Sequence, residues 1–205
     1  YAYVFYNKQK AMANTRLAYY YMKQGKFKIT TDLLDQVVKI YQSLNDSLGI
    51  SNCYNNAGGV LMEMGEVPAA IESFKKSIVI KEMLASRKRM SAADRFNLSN
   101  SYNNMGIVSL ETGKIKDALA YYQKSLELDT DPNSSIRSVA YEGMGNIFDH
   151  LNDSANALKY YRLSLAASVN RKDTAKIAET IEHIGLHYLK REMMDVALPY
   201  FWQTH

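Results

Sequence analysis

The chain has one cysteine, Cys53, which excludes an internal disulfide and any cysteine-based zinc site. No stretch of about 18 or more apolar residues occurs, so no transmembrane segment is expected within this region. A strong excess of one charge is also missing, the net charge being +4. Lysine and arginine are scattered. The densest cluster, Arg87-Lys88-Arg89, is too short for a nucleic-acid footprint, and no nucleic-acid partner is expected within this region. The first residue is Tyr1 rather than methionine, and no signal peptide follows. The sequence therefore reads as a fragment from which any targeting segment has been removed. Its localisation stays open between the cytoplasm and, for a sensor domain, the periplasm.

What the sequence does have is repetition. SNCYNNAGG begins at Ser51 and SNSYNNMGI at Ser99. Asparagine is a mediocre helix former, yet everything around these stretches carries helical periodicity. Aligning the two places Gly58 over Gly106, and the same register finds Gly145 and Gly185 downstream and Ala18 upstream, at spacings of 40, 48, 39 and 40 residues. A glycine inside a helix costs about 1 kcal/mol relative to alanine, so a packing reason is required: a helix crossing its neighbour too closely for a side chain. Twelve residues on come Ala70, Ala118, Ala157 and Ala197, with Thr30 in the first unit. Four further on come Phe74, Tyr122, Tyr161 and Phe201, with Leu34 first. Between the two sets lie Gly25, Gly65, Gly113 and Asn152, residues suited to a left-handed helix C-cap. The unit is helix, tight turn, helix.

This pattern resembles the tetratricopeptide repeat, with its small residues at the eighth and twentieth positions, its aromatic at the twenty-fourth and a tyrosine at the fourth (Tyr54, Tyr102, Tyr141). The resemblance covers nearly the whole sequence. The period is near 40 rather than 34, the usual closing proline is missing, and serine (Ser77, Ser125, Ser164) stands where alanine is commonest. Longer units of this kind are similar to those in bacterial signalling proteins and some eukaryotic adaptors. The resemblance implies an all-α fold, an α-α superhelix (solenoid) of about five stacked helical hairpins. It would be a single array over 1–205 with units near 11–50, 51–98, 99–137, 138–177 and 178–205. First helices are expected near 3–24, 46–64, 95–112, 133–151 and 174–190, and second helices near 26–43, 66–88, 114–129, 154–169 and 193–204. The 48-residue spacing is assigned to a longer second helix through Ser86-Arg87-Lys88-Arg89-Met90. Asp131-Pro132 and Asp173-Thr174 read as helix starts. Pro199 should make the last helix irregular, leaving Tyr200 and Trp202 partly exposed at an uncapped end through which copies of the protein could associate. Because single units cannot bury their apolar faces, the tyrosines and methionines read as core of the stack.

In the family, first helices line a concave groove. The resemblance places Asn52, Asn55, Asn56, Gly59, Met62 and Glu63 on its wall, then Asn100, Asn103, Asn104, Ile107, Leu110 and Glu111, then Val139, Glu142, Gly143, Asn146, Asp149 and His150. A carboxamide both donates and accepts, which matches the alternating C=O and N–H of an extended peptide. The other reading is that these amides cap helices or face water. Arg16, Lys23 and Tyr19 lie at one end and Glu142, Asp149, Glu179 and Glu182 at the other, so a bound peptide would set its acidic end on the first unit. The candidate binding residues are Arg16, Tyr19, the six asparagines, Glu142, Asn146, Asp149 and Glu182.

His183 and His187 sit i, i+4, but zinc catalysis needs a third ligand and usually H-E-x-x-H. GGVLMEMG and ETGK complete no phosphate loop, and no Ser/His/Asp triad can be argued from spacing. Neither catalysis, metal nor cofactor is expected. The sequence reads as an interaction module for a peptide or protein segment. The alternative is a regulatory input domain of a longer bacterial signalling protein, a histidine kinase or transcriptional regulator.

Overall fold

The computed structural model describes residues 2–87 and 90–203. Among them lie ten helices and no strand: α1 (Ala2–Lys23), α2 (Phe27–Ser43), α3 (Ser47–Glu63), α4 (Val67–Arg87), α5 (Ala92–Glu111), α6 (Ile115–Leu128), α7 (Ser135–His150), α8 (Ser154–Arg171), α9 (Thr174–Leu189) and α10 (Met194–Trp202). Helices α1–α2, α3–α4, α7–α8 and α9–α10 pack as hairpins, and α2–α3, α6–α7 and α8–α9 pack as successive neighbours. The protein divides into two compact units, Tyr1–Asn104 and Met105–His205, with the division inside α5. None of the described helices is long and apolar enough to cross a membrane.

The turns are as the residues dictate. Gly25, Gly65, Gly113 and Asn152 all adopt positive φ, between 60° and 78°. Each closes its helix with the paired bonds of a Schellman cap: Gly25 N–H reaches Met22 C=O at 2.9 Å while Lys26 N–H reaches Tyr21 C=O at 2.9 Å. Asn45, Lys172 and Glu192 do the same with less suitable side chains.

The recurring glycines answer to a ring rather than to a bare helix crossing. A β-carbon on Gly58 would stand 2.5 Å from Phe74, on Gly145 2.6 Å from Tyr161, and on Gly185 3.0 Å from Phe201. In each case the aromatic comes sixteen residues later, on the second helix of the same hairpin. The first hairpin has the smaller partner, Leu34, and there the register holds Ala18, both being buried in one cluster with Val60. In the second unit Ala118, Tyr122, Ala140, Met144 and Ile147 form one buried group.

Three boundaries depart from expectation. The extra residues of the 48-residue spacing are shared between a long α4 and an early start of α5, where Ser91 and Asp94 form a reciprocal capping box: Ser91 N–H to Asp94 at 3.0 Å, Asp94 N–H to Ser91 Oγ at 3.1 Å. Lys88 and Arg89 lie outside the described residues. Asp131 does not start α7. Its carboxylate takes the Asn133 N–H at 2.9 Å in a turn, and Ser134 caps the helix instead; Asp173 does cap α9. Finally, α10 continues unbroken through Pro199, while Trp202 is 73% exposed and Tyr200 is half-buried, stacked on Tyr188. Thr204 and His205, at the end of the expected last helix, lie outside the described residues.

Candidate binding site

The amide-bearing helix α3 and the first half of α5 meet in the unit Tyr1–Asn104. Two neighbouring cavities open there. One, of about 480 Å³, has an apolar floor of Ala18, Met22, Leu34 and Val60 and is bordered by Arg16, Tyr19, Asn55, Asn56 and Asn104. The other, of about 370 Å³, shares Arg16, Asn55 and Asn56 and adds Asn52, Asn97, Asn100 and Lys81. Seven of the sequence-predicted residues thus line two adjoining hollows. Arg16, Tyr19 and Asn56 are exposed, while Asn52, Asn100 and Asn104 are half-buried.

The fifth position of each unit behaves differently. Asn55 is 7% exposed, Asn103 4% and Glu142 7%, so all three side chains are buried, and those of Asn55 and Glu142 lie in seams between hairpins. The expectation that all six asparagines face a groove is corrected to that extent. The reason is visible at Asn55, whose Oδ1 accepts from Ser101 Oγ at 3.0 Å and from Asn104 Nδ2 at 3.1 Å. An amide spent on the next hairpin's first helix cannot also hold a ligand through that oxygen. Asn103 lines neither cavity, and its Oδ1 has no partner among the described residues. The serines that replace the family's usual alanine serve the same seams: Ser77 faces Ser101 at 3.2 Å, and Ser164 faces Thr180 at 3.2 Å.

In the unit Met105–His205 most of the predicted acidic residues are engaged within the protein. Glu142 accepts from Lys176 at 2.9 Å and from Thr180 at 3.3 Å. Burial opposes the Lys176 charge, but Glu142 and Glu179 outweigh it and lift its pKa. Asn146 accepts from the Tyr161 hydroxyl at 2.8 Å, and Glu182 is exposed. Glu179 also bonds Lys176, at 2.9 Å, so of the predicted acidic residues at this end Glu182 is the exposed one with no bond to that lysine.

Asp149 belongs to a constellation that sequence spacing hid. His187, fully buried, donates from Nδ1 to Asp149 Oδ1 at 2.5 Å and accepts from Ser154 Oγ at 2.8 Å through Nε2. The geometry is that of a Ser/His/Asp triad, drawn from α8, α9 and α7. Its electrostatics are not. Lys190 and Arg191 also bond Asp149, at 2.8 and 2.9 Å. Burial works to raise the carboxyl, but these bonds outweigh it and hold its pKa at about 2. Burial, reinforced by the two cations, lowers the imidazole below its usual range. A general base must take up a proton in the transition state, and this imidazole is arranged against doing so. The network ties three helices together. It also occupies His187, while His183 lies 3.8 Å from Glu142, so the histidine pair does not converge on a common point.

Residues 97–168 match the family model for the tetratricopeptide repeat. No curated protein sequence matches this one. Among solved structures, BtubC (BKLC) from P. vanneervenii is similar over 98% of this chain and 87% of its own, at 17% identity and a TM-score of 0.75. Aspartyl phosphate phosphatase F from Bacillus subtilis is similar over 96% of this chain and 59% of its own, at 15% identity and a TM-score of 0.70. A MamA protein is similar over 96% and 91%, at 19% identity and a TM-score of 0.56. Likeness at these identities shows a shared fold.

Proposed function

We propose that this protein, whose residues 97–168 match the tetratricopeptide-repeat model and which shares its fold with BtubC, is a non-catalytic interaction module that holds an extended peptide or protein segment against the asparagine-bearing face of the unit Tyr1–Asn104. The observation that carries this reading is the placement of Asn56, exposed beside the apolar floor of the larger cavity, with Asn104, Arg16 and Tyr19 around the same opening. An apolar hollow with a few convergent polar groups is the usual anatomy of a binding site. Exposed carboxamides at its rim can pair with a peptide main chain whatever its side chains. Arg16 biases an acidic part of the segment toward this end, an effect screened beyond about 8–10 Å at physiological salt.

The test is to select binders from a random-peptide library on the whole protein and follow side-chain amide NMR signals during titration. Asn56 and Asn104 should be among the signals that move. A peptide that binds while leaving both unmoved would transfer the site elsewhere.

A further inference from the structure

The first turn of α1 is apolar where the corresponding stretches of other units are polar. Tyr3 and Phe5 are 67% exposed and Tyr6 66%, and Val4 is exposed as well. In the register that aligns Ala18 with Gly58, Gly145 and Gly185, residues 3–6 correspond to 43–46, 130–133 and 170–173. There the chain turns between hairpins, and the residues read SLND, TDPN and NRKD. In α1 the same stretch is helical and reads YVFY.

A stacked hairpin does not account for these side chains. The face of α1 that such a neighbour would cover is marked by Tyr20, whose register partners Val60, Ile147 and His187 are all buried. Residues 3–6 have their counterparts in turns, beyond that face. Successive residues lie about 100° apart around a helix, so Tyr3, Val4, Phe5 and Tyr6 together span roughly 300° of it. A groove on a folded partner covers one side of a helix, whereas a fluid interface surrounds its tip.

The charge on this helix has one sign. α1 carries Lys8, Lys10, Arg16 and Lys23 and no acidic residue, although acidic side chains are the ones that favour the start of a helix. Asp46 pairs with Lys8 at 2.9 Å, and Lys10 stays exposed. Aromatic side chains settle at the headgroup level of a bilayer, tyrosine with its ring in the apolar boundary and its hydroxyl in water. Lysines beside them are drawn to anionic lipid. We propose that the first turn of α1 is a membrane-surface anchor: Tyr3, Phe5 and Tyr6 enter the interface of an anionic bilayer, with Lys10 among the headgroups. The anchor inserts without spanning, and none of the described helices is long and apolar enough to span. Phe5 and Tyr19 are separated by about 20 Å of helix at 1.5 Å per residue, so an anchored protein keeps its asparagine-bearing cavities open.

The experiment is flotation of the whole protein with vesicles of equal parts phosphatidylglycerol and phosphatidylcholine, and with vesicles of phosphatidylcholine alone. The protein should float with the anionic vesicles, less with the neutral ones, and should be released by salt, which screens the headgroup attraction. The combined variant Tyr3→Gln, Phe5→Gln, Tyr6→Gln should bind about tenfold more weakly or worse, since the apolar area it inserts is gone. Its melting temperature should match the parent, all three side chains being exposed. Phe5→Gln alone should show a smaller loss, and it decides the question if the combined variant fails to fold. Tyr20→Gln should bind as the parent does. Absence of flotation with anionic vesicles, equal flotation with neutral ones, flotation undiminished by Phe5→Gln, or an equal loss in Tyr20→Gln would each overturn the proposal. So would self-association without lipid that Phe5→Gln abolishes, which would assign the turn to a second copy of the protein.

Discussion

The ring of Tyr122 stands where a β-carbon on Gly106 would be, 2.6 Å away, and its hydroxyl end presses equally on the β-carbon position of Gly143, 2.5 Å away. The ring is almost fully buried, so it is held between two glycines and cannot retreat from either. Gly106→Ala should therefore destabilise, although alanine favours helix by about 1 kcal/mol. Overpacking a filled core costs roughly 1–3 kcal/mol. Glu111→Ala, at an exposed position of the same helix, should stay within about 0.5 kcal/mol of the parent. Thermal melts of the two variants side by side measure this, and equal midpoints would reject the packing described for the glycine register.

Lys81→Met should raise stability at pH 7 by roughly 1–2 kcal/mol, because it removes a desolvated charge that no described residue neutralises. The gain should depend on pH. The folded pKa of about 8 lies below the ordinary 10.5. Below pH 8 both folded and unfolded states carry the proton, and the cost is present in full. Between about pH 8 and 10.5 the folded state releases it first, so the parent gains stability as pH rises and the advantage of Lys81→Met shrinks. Denaturant melts at pH 7 and pH 9.5 check the sign. A variant that is less stable at pH 7 would show that the ammonium is satisfied where it stands.

Acid should weaken the second unit in two stages. The His187 imidazole is lowered in the folded state, so as pH falls below the ordinary value of 6.5 the unfolded state takes up a proton that the folded state refuses, and stability declines until the folded group titrates too. Asp149, held at about 2 against the ordinary 3.8, adds a second loss between about pH 4 and 2. Both slopes have the same sign. His187→Gln should flatten the first stage, and Asp149→Asn should cost about 3 kcal/mol at pH 7 by leaving the buried His187 donor and the partly buried Arg191 without their carboxylate. Melting temperatures from pH 8 to pH 3 resolve the stages.

Much of the fold was legible because its determinants are local and periodic. Gly25, Gly65, Gly113 and Asn152 read as left-handed stops, and they are. The glycine and aromatic registers read as helices in contact, and the contact is ring against glycine. The candidate site was legible only where exposure follows from helical phase, as at Asn56, Arg16 and Tyr19. Phase alone cannot tell the open wall from the seam one position away, which is why Asn55, Asn103 and Glu142 fall inside. Lys81 carries no signal at all in sequence, since a lysine on a second helix normally reaches solvent and only the neighbouring hairpin buries it. The Ser154–His187–Asp149 set is assembled from three helices, and no spacing announces it. The serines at the family's alanine position were the one visible hint of polar seams.

The central claim is that exposed amides of the first unit grip a peptide main chain. Asn56 is the cleanest probe, since Asn104 is also bonded to Asn55 and its removal disturbs the seam. Titration calorimetry with a library-selected peptide on the parent, on Asn56→Ala and on Arg16→Glu measures the claim directly. Asn56→Ala should keep its melting temperature and lose roughly 0.5–1.5 kcal/mol of affinity, the worth of one hydrogen bond. Arg16→Glu should lose more at low salt than at high salt. Unchanged affinity in a folded Asn56→Ala variant would contradict the account.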